Sequence, residues 1–476
     1  MVDPTPTRFE RPRWTRWALL VVGLYVLLVA WAEPFFVRYP AAGSFLLVGL
    51  LAAGVAWRRP RGSKAAWVTI LSVIISAAAQ LAWLVTAWYP AWALALGFAL
   101  VVAFSCFAGF WKLSRTRRRV LRQEHLTSSG RPPILSILRS VANSFLLVIA
   151  VVTSAVVLLV AAVPAAVAIP IQAAAGQTPS FQPRGPEGAV KVTANGDRLT
   201  SDVRYGDKYP SSYLDIYIAD DDASVTRPTY IYIHGGGWIG GTKSDGDPNA
   251  PGGGFAVTTD PVLDGGFNFV SLDYGLAPTV KYPTQVRQVS QAVSFLRQNA
   301  KQYGLDMSDV VIAGGSAGGQ LAGQFANIQT NPTYEAQIGV KPVIGDALRA
   351  VVLDSPALEL EKTGETQSPQ ALKDLIFGLS ARSYVGTSVA LNKEASVTNH
   401  VTADFPATFV ADGNTGTFPD QAESLHKRLD QLGVTNAVDV PPASSAILGH
   451  GYMAMPGTWT DAYNEKKLAF LSALGL

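Results

Sequence analysis

Five apolar runs occupy the first 163 residues of this 476-residue chain and restrict that part to membrane-spanning helices. A helix needs about 20 residues to cross the hydrocarbon core of a bilayer, and runs of this length fit when tilt or snorkelling is allowed. The runs cover residues 17–37, 41–57, 65–88, 91–111 and 145–163. The second run is the shortest, and a re-entrant or interfacial segment is its alternative interpretation.

The N-terminal segment and the following loops alternate in basic content, which predicts the orientation of the chain. In order they hold 4, 1, 4, 0 and 8 Lys and Arg residues. The positive-inside rule then places the N-terminus in the cytoplasm and everything after the fifth run outside it. The most basic loop, 112–139, adjoins a helix end, which favours contact with anionic membrane lipids over a nucleic-acid site.

Charge also divides the chain. Residues 1–175 hold 17 Lys and Arg against 4 Asp and Glu, about +13, and the remainder holds 21 against 31, about −10. We predict an all-α membrane region of about five helices at 1–171, a Pro- and Gly-rich linker at 172–190, and a folded domain at 191–476.

From residue 191 onward, short β-rich runs alternate with helical stretches. Near-continuous apolar strands separated by helices are typical of a mainly parallel sheet covered on both faces, so we predict the α/β class. The clearest predicted helix is 283–303, where valines and a leucine recur at helical spacing. The predicted strands are 213–218, 229–233, 268–272, 309–312, 350–353, 407–410 and 437–440.

A serine stands between glycines where a predicted strand meets a predicted helix. Gly314-Gly315 precedes Ser316, and Ala317-Gly318-Gly319 follows it. A strand-to-helix elbow holds its nucleophile in a strained conformation and needs small neighbours, so we predict that Ser316 is a nucleophile. A glycine–serine turn without chemistry is the alternative.

A second glycine cluster, His234-Gly235-Gly236-Gly237-Trp238, directly follows the strand at 229–233. Consecutive glycines leave backbone N–H groups unscreened, which suits an oxyanion hole completed by the N–H of Ala317. A phosphate-binding loop is the competing interpretation, but no Gly-Lys-Ser/Thr follows.

The general base must be a histidine, and the chain has five. His450 stands in a loop after the last predicted strand, where the order nucleophile, acid, histidine requires the base. We therefore predict that His450 activates Ser316. The other four are His125 in the basic loop, His234 in the glycine cluster, His400 before a strand and His426 in a predicted helix.

These motifs together resemble the esterase/lipase branch of the α/β-hydrolases, which includes hormone-sensitive-lipase-like and feruloyl-esterase-like carboxylesterases. The resemblance covers roughly 200–476. It implies an α/β-hydrolase fold, with Gly236, Gly237 and Ala317 as oxyanion donors and His234 organising their loop. It rests on residues 203–206, 214–217, 234–238, 273–278, 314–319 and 449–451.

The acid of the expected triad is the weak point of the resemblance. The family's acid stands three residues after the glycine that ends the strand near 407–412, and that position is Gly416 here. We favour Asp412 as the group that orients His450. Asp420, Asp354 or a triad without an acid are the alternatives, and Asp420 could serve only the helix N-terminus.

These residues predict a serine carboxylic-ester hydrolase that acts on a small-molecule or lipid ester through an acyl-enzyme, with no metal and no cofactor. An acyltransferase or deacetylase of cell-envelope lipids or glycans is the first alternative, and a non-catalytic binding module on a hydrolase fold is the second. Segment 355–400 could form a lid or acyl pocket lined by Leu375, Ile376, Phe377 and Leu379, or these side chains could simply pack a helix.

Overall fold

The computed structural model describes residues 14–36, 40–56, 64–86, 89–124, 134–174, 180–183, 185–193, 195–219, 226–244, 256–368 and 370–476. Within it the chain forms two compact units, Met1–Val163 and Pro164–Leu476. His125 and most of the basic loop 112–139 lie outside the described residues or their described side chains.

The first unit is helical. Among its described residues, four helices contain stretches long and apolar enough to cross a membrane: Arg16–Phe35, Trp67–Thr86, Tyr89–Arg115 and Val141–Ala162. The second predicted run forms a shorter apolar helix, so about five predicted spans correspond to four candidates plus this one. The helices are α1 (Trp14–Phe36), α2 (Pro40–Ala56), α3 (Lys64–Thr86), α4 (Tyr89–Glu124) and α5 (Ile134–Ala162).

The second unit is built on a nine-stranded sheet with the order β1-β2-β3-β5-β4-β6-β7-β8-β9. The first three strands are antiparallel, and β3 also pairs antiparallel with β5. From β5 across to β9 every pairing is parallel. The strands are β1 (Ala189–Val192), β2 (Arg198–Arg204), β3 (Tyr213–Ile218), β4 (Pro228–Ile233), β5 (Asn268–Leu272), β6 (Asp306–Gly315), β7 (Leu348–Asp354), β8 (Ala407–Ala411) and β9 (Asn436–Asp439).

Helices cover both faces of this sheet, as the near-continuous apolar strands predict. Side chains alternate along β4, so Ile231 and Ile233 enter one buried cluster with α8, α9 and α13, while Tyr230 and Tyr232 enter another with α7 and α14. The helices are α6 (Ala165–Ala174), α7 (Ala256–Asp264), α8 (Thr284–Tyr303), α9 (Ala317–Thr330), α10 (Pro332–Ile338), α11 (Ala371–Val385), α12 (Val389–Ala395), α13 (Pro419–Leu432) and α14 (Thr458–Ala473).

Helix α8 shows how the sequence fixes an element. Val286, Val289, Val293 and Leu296 all lie on its buried face. The helix ends at Gly304, whose φ of 73° is the left-handed conformation that glycine adopts without a steric penalty. The predicted helix at 283–303 differs from the observed one only by its first residue.

Helix α6 lies at the start of the second unit, and the predicted linker at 172–190 begins inside it. Gln172 is buried, and its Nε2 atom donates hydrogen bonds of 2.8 Å to the carbonyl oxygens of Ile239 and Ala277. The helix is thereby tied to the loop that follows the glycine cluster and to the loop after β5.

Candidate active site

Ser316 occupies the tight turn between β6 and α9. Its backbone has φ 52° and ψ −114°, an uncommon conformation for a residue with a side chain. Its N–H donates to the carbonyl oxygen of Asp354 at 2.7 Å. A Cβ atom added to Gly318 would lie 2.0 Å from the carbonyl oxygen of Ile233, so the turn closes only around glycine there. Such an elbow presents the serine hydroxyl at the end of the strand.

His450 meets this serine from the loop after β9. Its Nε2 atom lies 2.9 Å from Ser316 Oγ. The imidazole packs against Phe377 of α11 and Phe418, with ring centroids 4.8 and 5.5 Å away. The structure thus brings together two residues that the sequence proposes as nucleophile and base, in a geometry that allows proton transfer from oxygen to nitrogen.

A threonine stands on the far side of the imidazole. His450 Nδ1 lies 2.9 Å from Thr417 Oγ1, and the Thr417 hydroxyl donates to Asp412 Oδ1 at 2.6 Å. Asp412 is fully buried and also accepts the backbone N–H groups of Gly413 at 2.7 Å and Phe418 at 2.8 Å. The carboxylate therefore reaches His450 through the threonine hydroxyl. Sequence reasoning names Asp412 but misses Thr417, because a hydroxyl residue in a loop carries no motif.

In the described part of the chain, neither Asp354 nor Asp420 forms a hydrogen bond with His450. The Asp354 carboxylate accepts a hydrogen bond of 2.5 Å from the Tyr463 hydroxyl. Asp420 lies in the first turn of α13. Gly416, at the position where the family carries its acid, has a φ of 61°.

The site is buried, and burial moves the pKa values of its titratable groups. Burial, followed by the nearby Lys373 ammonium, lowers the pKa of His450 to about 4. Burial raises the pKa of Asp412 to about 6, although the hydrogen bonds that its carboxylate accepts act in the opposite direction. At neutral pH the histidine is therefore an uncharged acceptor and the aspartate is ionised.

The glycine cluster after β4 lies against the nucleophile. A Cβ atom added to Gly235 would be 3.3 Å from Ser316 Cβ. Gly236 has a φ of 101° and Gly237 a φ of 60°, so both use left-handed conformations. The Gly236 carbonyl accepts the N–H groups of Ile239 and Gly240 at 3.1 and 3.0 Å, which closes the loop on itself. Ala317, buried at the start of α9, completes the set of predicted oxyanion donors.

Aromatic side chains hold this loop in place. His234 stacks on Tyr274 with centroids 4.3 Å apart, and its Nδ1–H donates to the Gly235 carbonyl at 2.7 Å. Trp238 stacks on Tyr384 of α11 at 4.7 Å, and its Nε1–H donates to Gln320 of α9 at 3.0 Å. The loop is therefore fixed to α9, which begins directly after the serine, and to α11.

Buried charges anchor the chain beyond the loop. The Lys243 ammonium contacts Asp202 at 2.7 Å and Asp215 at 2.8 Å, and its backbone N–H donates to Asp273 at 2.6 Å. Removing one partner of a buried ion pair leaves an uncompensated charge, so Lys243 and these acids stabilise the fold only together.

Within the described parts of the chain, no group of three or more His, Cys, Asp or Glu side chains could hold a metal ion.

Comparisons with known proteins agree with this architecture. A model of the BD-FAE family matches residues 214–429. Esterase LipC of Mycobacterium tuberculosis is 25% identical over 274 residues, which are 57% of this chain and 64% of that protein. Esterase B from Lactobacillus rhamnosis is similar in structure, with a TM-score of 0.51, 25% identity, and coverage of 60% of this chain and 88% of that one.

The sheet-bearing unit is an α/β-hydrolase domain of the esterase/lipase branch. Arylacetamide deacetylase of Rattus norvegicus is also similar to it, at 28% identity over 193 residues that cover 40% of this chain and 46% of that protein. The hydrolase domain thus matches less than two thirds of these curated relatives' own lengths. The apolar helices of the first unit, Met1–Val163, fit a membrane region.

Proposed function

We propose that this chain is a membrane-anchored serine hydrolase that cleaves carboxylic esters through an acyl-enzyme. The observation that carries the proposal is the 2.9 Å contact between His450 Nε2 and Ser316 Oγ at a backbone elbow. A histidine within hydrogen-bond reach of a serine is the arrangement that activates a hydroxyl nucleophile. The names of the similar esterases support the carboxylic-ester class.

In the proposed reaction, His450 Nε2 accepts the hydroxyl proton while Ser316 Oγ attacks the ester carbonyl. The carbonyl oxygen gains negative charge, which the backbone N–H groups of Gly236, Gly237 and Ala317 stabilise. His450 then gives its proton to the departing alcohol, and the acyl group stays on Ser316. In the second half, His450 takes a proton from water, which attacks the acyl-enzyme. As the acyl–oxygen bond breaks, His450 returns that proton to Ser316 Oγ, and the acid is released.

The experiment measures ester hydrolysis by the full chain in detergent, across p-nitrophenyl esters from acetate to palmitate. Wild type is compared with Ser316→Ala and with Ser308→Ala, a control at an exposed serine on the same strand. We expect the control to match wild type and Ser316→Ala to lose about 10³-fold or more in kcat, since nucleophile removal leaves only residual catalysis. Wild-type rates in Ser316→Ala would contradict the proposal.

We further propose that the hydrolase domain faces away from the cytoplasm, in contact with membrane lipids that include candidate ester substrates. The loop charges support this orientation through the positive-inside rule. Reporters that are active only on one side of the membrane, fused after Leu476, test it directly. Activity of a cytoplasm-only reporter would overturn the outward placement.

A second candidate function keeps the site and changes the acceptor or the bond. The name of arylacetamide deacetylase favours testing acetyl-transfer and deacetylation of lipids or glycans as well as hydrolysis. Product analysis with lipid alcohols present separates the outcomes, because a transferase yields a new ester whereas a hydrolase yields free acid. A binding module would yield neither product.

A further inference from the structure

We propose that Thr417 is a positioning residue inserted between the base and its acid, so that the chain uses a four-residue relay: Ser316, His450, Thr417 and Asp412. This inference rests on the proposed function, because it assigns a role within the same reaction. Three consecutive contacts define the relay, at 2.9 Å, 2.9 Å and 2.6 Å.

The direction of each hydrogen bond follows from the chemistry of the groups. An ionised carboxylate only accepts, so the single hydroxyl proton of Thr417 goes to Asp412. The Thr417 oxygen then has only lone pairs left, and His450 Nδ1 must donate to it. A neutral imidazole with its proton on Nδ1 has its lone pair on Nε2, which faces Ser316 Oγ. The relay therefore fixes the tautomer that a general base needs.

The surroundings of Gly416 leave little room for a side chain at the family's acid position. A Cβ atom added to Gly416 would lie 3.2 Å from Lys373 Nζ. This close contact and the φ of 61° mean that any side chain at Gly416 would be strained. Asp412 approaches from the end of β8 instead, and the Thr417 hydroxyl spans the remaining gap to His450.

The relay gives Thr417 and Asp412 separate tasks. Thr417 contacts the imidazole and orients it, whereas Asp412 orients the Thr417 hydroxyl and supplies negative charge from one residue further away. Coulomb attraction falls with distance, so this carboxylate stabilises the imidazolium less than one in direct contact. Among the described residues, Lys373 on α11 acts on His450 directly, and Asp412 at the end of β8 reaches it through Thr417. Tyr452 interacts electrostatically with Asp412.

A purely structural role is the competing explanation, because Thr417 and Asp412 also hold the turn between β8 and α13. Two substitutions separate the roles. Thr417→Val keeps the branched shape and removes the hydroxyl, whereas Thr417→Ser keeps the hydroxyl and removes a methyl group. A structural role predicts that loss of the methyl group matters at least as much, since Thr417 is fully buried.

The experiment measures kcat, KM and the pH profile of kcat/KM for a p-nitrophenyl ester with the full chain in detergent. We expect Thr417→Val to lose about 10²-fold to 10⁴-fold in kcat with little change in KM, since an unfixed tautomer removes general-base catalysis. Thr417→Ser should stay within about tenfold of wild type by the same reasoning. The inflection that Asp412 gives the wild-type profile should disappear in Thr417→Val.

Three results would overturn the relay: wild-type kcat in Thr417→Val, an unchanged pH profile in that variant, or equal losses in Thr417→Val and Thr417→Ser. Thermal unfolding of each variant shows whether it folds, and kinetics are compared only among variants that do. Should Thr417→Val fail to fold, Thr417→Ala and the pH profile of Asp412→Asn apply the same criterion. Full activity in Ser316→Ala would instead mark the failure of the proposed function itself, and the relay would fall with it.

Discussion

His450 Nε2 lies 2.9 Å from Ser316 Oγ, although 134 positions separate the two residues in the chain. The contact exists because parallel strands bring their carboxyl ends to one edge of the sheet, where β6 ends at the serine and the loop after β9 carries the histidine. The chemistry thus depends on the order of strands across the sheet.

The Lys373 ammonium provides a test of the electrostatics at this contact. It helps burial to lower the pKa of His450, so Lys373→Met should raise that pKa by up to about one unit. The base works only when neutral, so the inflection that His450 gives the acid limb of the kcat/KM profile, below that of Asp412, should move to higher pH. Lys301→Gln, at an exposed lysine near the end of α8, is the control. An acid limb that stays in place or moves to lower pH contradicts this assignment.

The glycine cluster allows a matched pair of substitutions within one loop. A Cβ atom on Gly235 would lie 3.0 Å from the Gly315 carbonyl oxygen and 3.3 Å from Ser316 Cβ, whereas one on Gly240 would meet only the Gly236 carbonyl oxygen at 3.7 Å. Gly235→Ala should therefore displace the loop from the serine and lower kcat by up to about 10²-fold. Gly240→Ala should retain wild-type kcat. Equal rates for the two variants would argue against the close approach of loop and nucleophile.

The hydrogen bonds of Gln172 predict that α6 contributes to the stability of the hydrolase domain. Gln172→Leu would leave the carbonyl oxygens of Ile239 and Ala277 without these donors, at a cost of about 2 kcal/mol in the free energy of unfolding. Thermal unfolding of the full chain should then begin several degrees lower than in wild type. Gln182→Leu, at an exposed glutamine, should leave the transition unchanged. A transition in Gln172→Leu that coincides with wild type would mean that α6 is only a tether.

Much of the sheet and the order of the site residues could be predicted from the sequence. Residues 310–313 of β6 are all buried, so their apolar run is unbroken, and α8 repeats its apolar residues at helical spacing. Ser316 and His450 could be singled out because small residues surround the first and the chain order isolates the second. These signals lie in short stretches of sequence or in their order along the chain, so they can be recognised without knowledge of the fold.

The remaining features depend on contacts between distant segments. The predicted strands omit both β1 and β2. β1 is only four residues long and mostly exposed, so burial leaves little trace in its sequence. The predicted linker begins inside α6, a packed helix. The sequence gives no sign of this packing, because Gln172 is held by carbonyl groups more than 60 residues away. Thr417 gave no signal, since its role arises only when the turn after β8 meets the loop that carries His450.

Covalent labelling by a fluorophosphonate, with the modified residue located by mass spectrometry, tests the central claim most directly. The full chain in detergent should take up one label, on Ser316, and Ser316→Ala should take up none. His450→Ala should label at least about 10²-fold more slowly than wild type, because the base activates the hydroxyl. A label on any other residue, or undiminished labelling of Ser316→Ala, would contradict the assignment of Ser316 as the nucleophile.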